Sequence, residues 1–241
     1  MAQYSPERAE EIADNIASVQ SRMNDALLSI TNAQKAQLVA VSKYKPASDI
    51  LAAYEKAGHR HFGENYLPSD IKWHFIGTLQ SNKCKTVAGE DGAHTASFHT
   101  MRNKYSAKKA STLDKACAAS RSEPLRIFLQ VNTSAEETKS GMLPREALDV
   151  ARHVVSSCAH LKLAGLMTIG SPNPDLENGE NPDFKTLNEC RAIIQETLKI
   201  DDLELSMGMS DDFPQALLQG STNIRVGSTV FGSRPPFTKS T

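Results

Sequence analysis

The chain has 241 residues, and its 27 basic and 28 acidic side chains leave a formal net charge of −1. That balance excludes a strongly basic protein of the kind that binds nucleic acid or an anionic membrane, and it favours a small ligand. No apolar stretch approaches the ~20 residues of a membrane span, and the first residues lack a secretory signal. The length allows one α/β barrel or one to two smaller domains.

The cysteines are widely spaced and include no C-x-x-C pair, so the sequence predicts neither a zinc site nor a disulfide framework. We expect no metal, and we expect a monomer in the reducing cytoplasm, with a mitochondrial pool as the alternative. The four cysteines are Cys84, Cys117, Cys158 and Cys190.

A long amphipathic helix is predicted over residues 6–30. Ser5 and Pro6 suit a helix N-cap and first helical position, and apolar residues follow at three- and four-residue spacing. The run 38–45 then predicts a strand buried on both faces, with Lys43 at its carboxyl end. That end of a strand is where α/β proteins place their chemistry.

Helices and strands alternate along the rest of the chain. Eight strands in one pass predict a single (β/α)8 TIM barrel over about 38–232, within one domain of residues 1–241. A doubly wound open sheet is the alternative fold. The predicted strands are 38–45, 59–65, 72–77, 93–99, 125–132, 161–169, 203–208 and 223–227.

The connection between the second and third strands is unusually short. Six residues separate Asn65 from Lys72, whereas a parallel crossover needs a dozen or more. Either these two strands are not parallel neighbours, or a surface segment has been deleted from the chain. The regular repeat of the other units favours the deletion.

Two late segments have the composition of a phosphate site. Segments 206–212 and 225–229 would form the loops after strands seven and eight, the usual phosphate-binding place in such barrels. Small residues let backbone N–H groups approach an anion, and the hydroxyls of Ser206, Ser210 and Ser228 can donate. Ordinary turns are the alternative interpretation of each loop alone.

A reactive lysine beside a phosphate pocket indicates a phosphorylated aldehyde or ketone held as a Schiff base. Partial burial of Lys43 would favour its neutral amine, the form that attacks a carbonyl. Two ligands fit this chemistry: pyridoxal 5′-phosphate, and a sugar phosphate as in an aldolase.

Several motifs, spread in order from about 38 to 236, resemble the pyridoxal phosphate homeostasis protein family. They include segments 41–46, 62–65, 73–77, 165–169, 206–210 and 225–227. The resemblance implies a barrel similar to that of bacterial alanine racemase. It also implies pyridoxal phosphate binding and a part in keeping vitamin B6 in balance, with no established catalytic turnover.

The resemblance also assigns roles by position. Lys43 would form the Schiff base, Arg225 would face the pyridine nitrogen, and Asn65 would lie near the phenolic oxygen of the ring. His74 and Met167 also stand in motif positions but are interpreted as packed strand residues, and Lys45 as an unassigned surface charge. The phosphate would be held by Ser206, Ser210, Gly227 and Ser228.

Besides the aldolase, the sequence is compatible with two functions that use pyridoxal phosphate. The first is a carrier that exchanges the cofactor with recipients such as pyridoxal phosphate-dependent apoenzymes. The alternative is an amino-acid racemase, which needs a base on each face of its substrate. In the racemases that this barrel resembles, an added β domain supplies the second base. Because the sequence ends at Thr241 without such a domain, we expect the carrier.

Overall fold

Eight parallel strands close into a barrel in chain order within the residues that the structure describes. The structure is a computed structural model, and it describes residues 4–30, 34–64, 71–77, 79, 83–89, 95–98, 105–136, 140–176 and 179–233. The predicted (β/α)8 barrel is confirmed, and the open doubly wound sheet is wrong.

After one additional N-terminal helix, strands and helices alternate along the described residues, except that β2 is followed directly by β3. The strands are β1 (Gln37–Val41), β2 (His61–Glu64), β3 (Lys72–Gly77), β4 (Thr95–Phe98), β5 (Leu125–Gln130), β6 (Leu161–Met167), β7 (Glu204–Ser206) and β8 (Asn223–Val226). The helices are α1 (Pro6–Leu28), α2 (Ala47–Glu55), α3 (Cys84–Ala88), α4 (Tyr105–Ala118), α5 (Ala147–Ser157, after a 3₁₀ turn at Pro144–Glu146), α6 (Pro182–Leu198), α7 (Phe213–Leu218) and α8 (Ser228–Phe231).

Helix α1 has the predicted start and ends two residues earlier than predicted. The Ser5 side chain accepts a hydrogen bond from the backbone N–H of Arg8, and Pro6 is the first helical residue. Such a cap satisfies a backbone donor that has no partner within the helix. Ile12, Ile16 and other apolar residues of one face are buried where α1 packs against α2, α7 and α8.

Strand β1 ends at Val41 and does not reach residue 45 as predicted. The backbone N–H of Ser42 still donates to Gly63 of β2, at 3.1 Å, but the Lys45 N–H turns back to the Ser42 carbonyl, at 2.8 Å. Tyr44 adopts a left-handed backbone, with φ of 67°. These contacts form a tight turn that takes residues 43–45 out of the strand ladder. Lys43 therefore lies in the turn after β1 and not in the strand itself.

Strands β2 and β3 are parallel neighbours, with His61 opposite Lys72. The interpretation that these strands are not neighbours is therefore wrong. Their connection is residues 65–71, shorter than a parallel crossover helix needs, so the parallel pairing supports the deletion of a surface segment.

The apolar core lies mainly outside the barrel, between the strands and the helices, in two large clusters. Residues such as Leu38, Leu205 and Ile224 face this layer. Because side chains alternate along a strand, their neighbours Val39, Ser206 and Arg225 face the barrel interior. The interior therefore holds the polar groups that form the site.

Candidate ligand site at the barrel mouth

A cavity of about 680 Å³ opens where the strands end, within the range of small-molecule sites. Its walls bring together residues from opposite ends of the sequence, since closure places β1 beside β8. The lining includes Lys43, Lys45, Met167, Ser210, Arg225 and Ser228.

Lys43 reaches this cavity from the turn after β1. Its side chain is half-buried, and Nζ lies 5.1 Å from the centre of the Tyr44 ring. The left-handed backbone of Tyr44 costs about 1 kcal/mol for a residue with a side chain. A strained turn that carries a lysine into a pocket is typical of a functional site.

Arg225 is a buried cation in the wall of the cavity. Its Nη1 donates to the Ser206 hydroxyl at 2.8 Å, and its Nη2 donates to the Thr168 carbonyl at 2.7 Å. Burial lowers the pKa of Arg225 to about 10, with Asp212 opposing that shift, so the guanidinium stays charged at neutral pH. Both acceptors are neutral, and within the described residues no carboxylate accepts a hydrogen bond from it.

The two small-residue loops meet at one wall of the cavity. The Ser228 hydroxyl donates to that of Ser210 at 2.9 Å, and the backbone N–H of Thr229 donates to the same Ser210 oxygen at 3.4 Å. A Cβ added at Gly227 would stand 3.2 Å from the Val41 carbonyl oxygen, so a side chain would crowd β1. Hydroxyls and accessible backbone at one wall form a set that can bind an oxyanion.

Ser206, the fourth residue predicted to hold the phosphate, does not lie in the cavity wall that contains Ser210, Gly227 and Ser228. It is buried beneath Arg225, and it borders a smaller cavity deeper in the barrel, together with His74 and Asn223. Its hydroxyl accepts from Arg225, so in this structure it orients the cation. Asn65 lies outside the described residues.

The two motif residues interpreted as packed are indeed buried. His74 pairs its Nε2 with Nδ1 of His61 at 3.0 Å, inside the barrel. Met167 packs with Phe128 and Ala164, but it also lines the cavity.

Sequence reasoning missed Lys45. It lines the cavity, and Nζ donates to the carbonyls of Gly232 and Ser233, both at 2.8 Å. The interpretation of Lys45 as an unassigned surface charge is therefore wrong. The signal in the sequence that could have placed Lys45 at the cavity was its position two residues after Lys43, at the end of the same strand.

The donor set of the cavity fits a small anionic carbonyl compound, because it combines an amine, a buried guanidinium and a hydroxyl-lined wall. Among the described residues, no cluster of three or more His, Cys, Asp or Glu side chains could hold a metal ion. In the same part of the chain, no helix is long and apolar enough to cross a membrane.

Comparison with known proteins gives a family match over most of the chain. Residues 9–235 match the family model described as alanine racemase, N-terminal domain. A pyridoxal phosphate homeostasis protein of Schizosaccharomyces pombe is 42% identical over 219 residues, covering 85% of this chain and 86% of that protein.

Solved structures agree with this match. PipY of Synechococcus elongatus PCC7942, solved with PLP bound, has a TM-score of 0.72 and 29% identity, covering 92% of this chain and 100% of PipY. Alanine racemase of Clostridium difficile 630 has a TM-score of 0.63 at 11% identity, covering 92% of this chain and 57% of the racemase. The racemase likeness shows a shared fold alone.

Proposed function

The chain belongs to the family of pyridoxal phosphate homeostasis proteins, and from that premise we propose that it binds pyridoxal 5′-phosphate at the barrel mouth. The observation that carries the proposal is the convergence of Lys43, Arg225 and the Ser210–Ser228 pair on one cavity. PipY, with PLP bound, supports the same ligand in a barrel of this kind.

Lys43 is the residue we assign to covalent attachment. Its amine would condense with the ligand aldehyde to a Schiff base and release water. Lys43 is half-buried and lines the cavity, so its amine lies where the ligand aldehyde would bind.

The loops after β7 and β8 would hold the phosphate. The hydroxyls of Ser210 and Ser228 can donate to phosphate oxygens once they exchange their mutual hydrogen bond for the ligand. Gly227 would contribute through its backbone, and its lack of a side chain lets this loop lie against Val41 of β1. Asn65 stays a predicted partner of the phenolic oxygen.

Arg225 would face the pyridine nitrogen, with Ser206 orienting it. A cation there disfavours protonation of the ring, which makes the bound cofactor a weak electron sink. An arrangement of this kind would bind the cofactor while restraining its chemistry, as a carrier requires.

The wider role follows from this binding. We propose that residues 1–241 form one cofactor-binding domain that acts, as a monomer, in vitamin B6 homeostasis and delivers the cofactor to pyridoxal phosphate-dependent apoenzymes. The four cysteines are buried thiols that form no disulfide within the described part of the chain, which suits a reducing compartment such as the cytoplasm.

The test is a spectrum combined with covalent trapping. We expect purified protein mixed with pyridoxal phosphate to show visible imine absorption, and borohydride reduction followed by peptide mapping to place the adduct on Lys43. Lys43→Ala should lose that adduct and retain its fold, as measured by circular dichroism. A wild-type adduct that maps to another residue, or an adduct that persists at an unchanged level in Lys43→Ala, would overturn the Lys43 assignment.

A further inference from the structure

The backbone that follows the phosphate loop is held by side chains from outside it. Four consecutive carbonyls, those of residues 230–233, each accept a hydrogen bond from the N-terminal part of the chain. Asn15 Nδ2 donates to Val230 at 3.1 Å, and Arg8 Nη2 donates to Phe231 at 3.0 Å. Lys45 Nζ donates to the last two carbonyls. We call Arg8, Asn15 and Lys45 the carbonyl clamp.

Arg8 is itself held in place. Its Nη2 also contacts the Asp49 carboxylate at 2.7 Å, and its Nη1 contacts Glu11 at 2.8 Å. Asp49 is buried on α2, with 5% exposure. A guanidinium that bridges two carboxylates and a carbonyl loses less conformational entropy per contact than a single flexible donor. The clamp thus connects α1 and α2 to the end of α8.

The clamped segment forms part of the cavity wall. Gly227, Ser228, Gly232 and Ser233 all line the cavity. Between them, the N–H groups of Val230 and Phe231 both donate to the Gly227 carbonyl. A shift of the clamped carbonyls would therefore move the same short turn of backbone that presents Gly227 and Ser228.

We propose that the carbonyl clamp sets how tightly the phosphate group is retained, with Arg8 and Asn15 acting as positioning residues that do not line the cavity. This rests on the proposed pyridoxal phosphate site. Displacement of α1 from the barrel would loosen the wall at residues 227–233 and weaken its hold on the phosphate, while the amine of Lys43 could still condense with an aldehyde.

The test compares two ligands that differ only in the phosphate. Pyridoxal closes to a cyclic hemiacetal in solution, which lowers its affinity by the same factor for every variant. The change in the affinity ratio between a variant and the wild type therefore isolates the phosphate wall. Asn15→Ala removes one neutral hydrogen bond to the wall and should reduce the ratio about fivefold. Arg8→Lys keeps a cation for Asp49 but cannot span both partners, and it should reduce the ratio by about tenfold.

Ile16→Val is the matched control, because Ile16 is buried on the same helix but makes no hydrogen bond to the clamped carbonyls. It should lower thermal stability while leaving the ratio unchanged. A ratio that falls in Asn15→Ala and Arg8→Lys but holds in Ile16→Val supports the clamp. If both variants leave the ratio at the wild-type value, or if Ile16→Val lowers it equally, the clamp is overturned.

The wild-type protein separates this result from the underlying proposal. Absence of a reducible adduct in the wild type would overturn the pyridoxal phosphate site itself. A normal wild-type adduct with unchanged variant ratios would overturn the clamp alone. The dissociation rate of pyridoxal phosphate can be measured as its transfer to an excess of a scavenging amine. This rate should rise in the two clamp variants by the same factors by which the affinity ratio falls.

Discussion

Among the residues that the structure describes, Arg126 and Arg225 both face the interior of the barrel, but their surroundings differ. Arg126, near the amino end of β5, forms an ion pair with Glu204 of β7, and the second Glu204 oxygen accepts from Asn223 at 2.6 Å. Arg225, on β8 nearer the mouth, donates to a hydroxyl and a backbone carbonyl. The lower cation is paired with a carboxylate, whereas the upper one donates its hydrogen bonds to neutral groups and interacts with the Asp212 carboxyl only through its charge.

The contrast separates stability from ligand binding. A charge that already has a counter-ion in the protein interacts weakly with a ligand. Loss of one member of the pair leaves the other charge without its counter-ion, which lowers stability. A buried cation held by neutral groups carries a desolvation cost that an electron-rich ligand atom can offset. Substitutions at the two arginines should therefore change different measurements.

Arg225→Met should have the largest effect on binding. Loss of the charge-assisted contact should weaken pyridoxal phosphate affinity about 30-fold, which is about 2 kcal/mol. The unfolding free energy should change by less than about 1 kcal/mol, because the removed desolvation cost offsets two lost hydrogen bonds. Titration of the visible absorption and urea unfolding measure the two quantities. Unchanged affinity would contradict a ligand-facing role for Arg225.

Arg126→Met should show the reverse pattern. It leaves the Glu204 carboxylate without its cation and should lower the unfolding free energy by about 1.5 kcal/mol, less than for a fully buried pair because both side chains are 32% exposed. Pyridoxal phosphate affinity should remain at the wild-type value. Arg152→Ala, which breaks the exposed pair with Asp149, is the control and should change stability by less than about 0.5 kcal/mol.

The double variant Arg126→Met/Glu204→Gln sharpens the comparison. The glutamine oxygen can still accept from Asn223, and both charges of the Arg126–Glu204 pair are removed together. Its unfolding free energy should return to within about 1 kcal/mol of wild type. A double variant as unstable as the sum of two single variants would show that the ion pair itself, and not the unpaired carboxylate, determines stability here.

The smallest expected effect is a pH dependence beside Arg225. Burial raises the pKa of the Asp212 carboxyl, while the Met209 N–H and Arg225 oppose the shift. A carboxyl whose pKa is raised by folding stabilises the protein at low pH, and that contribution is lost as pH rises from the unfolded-state value through the folded one. Relative to Asp212→Asn, wild type should be more stable at about pH 3 than at about pH 7. Urea unfolding of both proteins at the two pH values measures it, and a constant difference would contradict it.

Local sequence patterns predicted most of the fold. Strand β3 has the predicted bounds, and β4, predicted over 93–99, pairs with β3 and β5. Such elements can be predicted from their own hydrophobic periodicity and from the turn residues beside them, without knowledge of distant contacts. The end of β1 was predicted four residues too late, because the turn at Tyr44 has a side chain where glycine is the usual signal.

The sequence by itself determined the barrel, the lysine after its first strand and the small-residue loops after its last two. Only the tertiary structure decided which side of β8 faces inward, since all four of its residues are buried and show no alternation. It also decided the hydrogen-bond partners of Arg225 and Lys45. Arg225 donates to Thr168, 57 residues away in the sequence, and Lys45 donates to Gly232, 187 residues away. Local patterns carry no information on such contacts, because barrel closure alone brings these segments together.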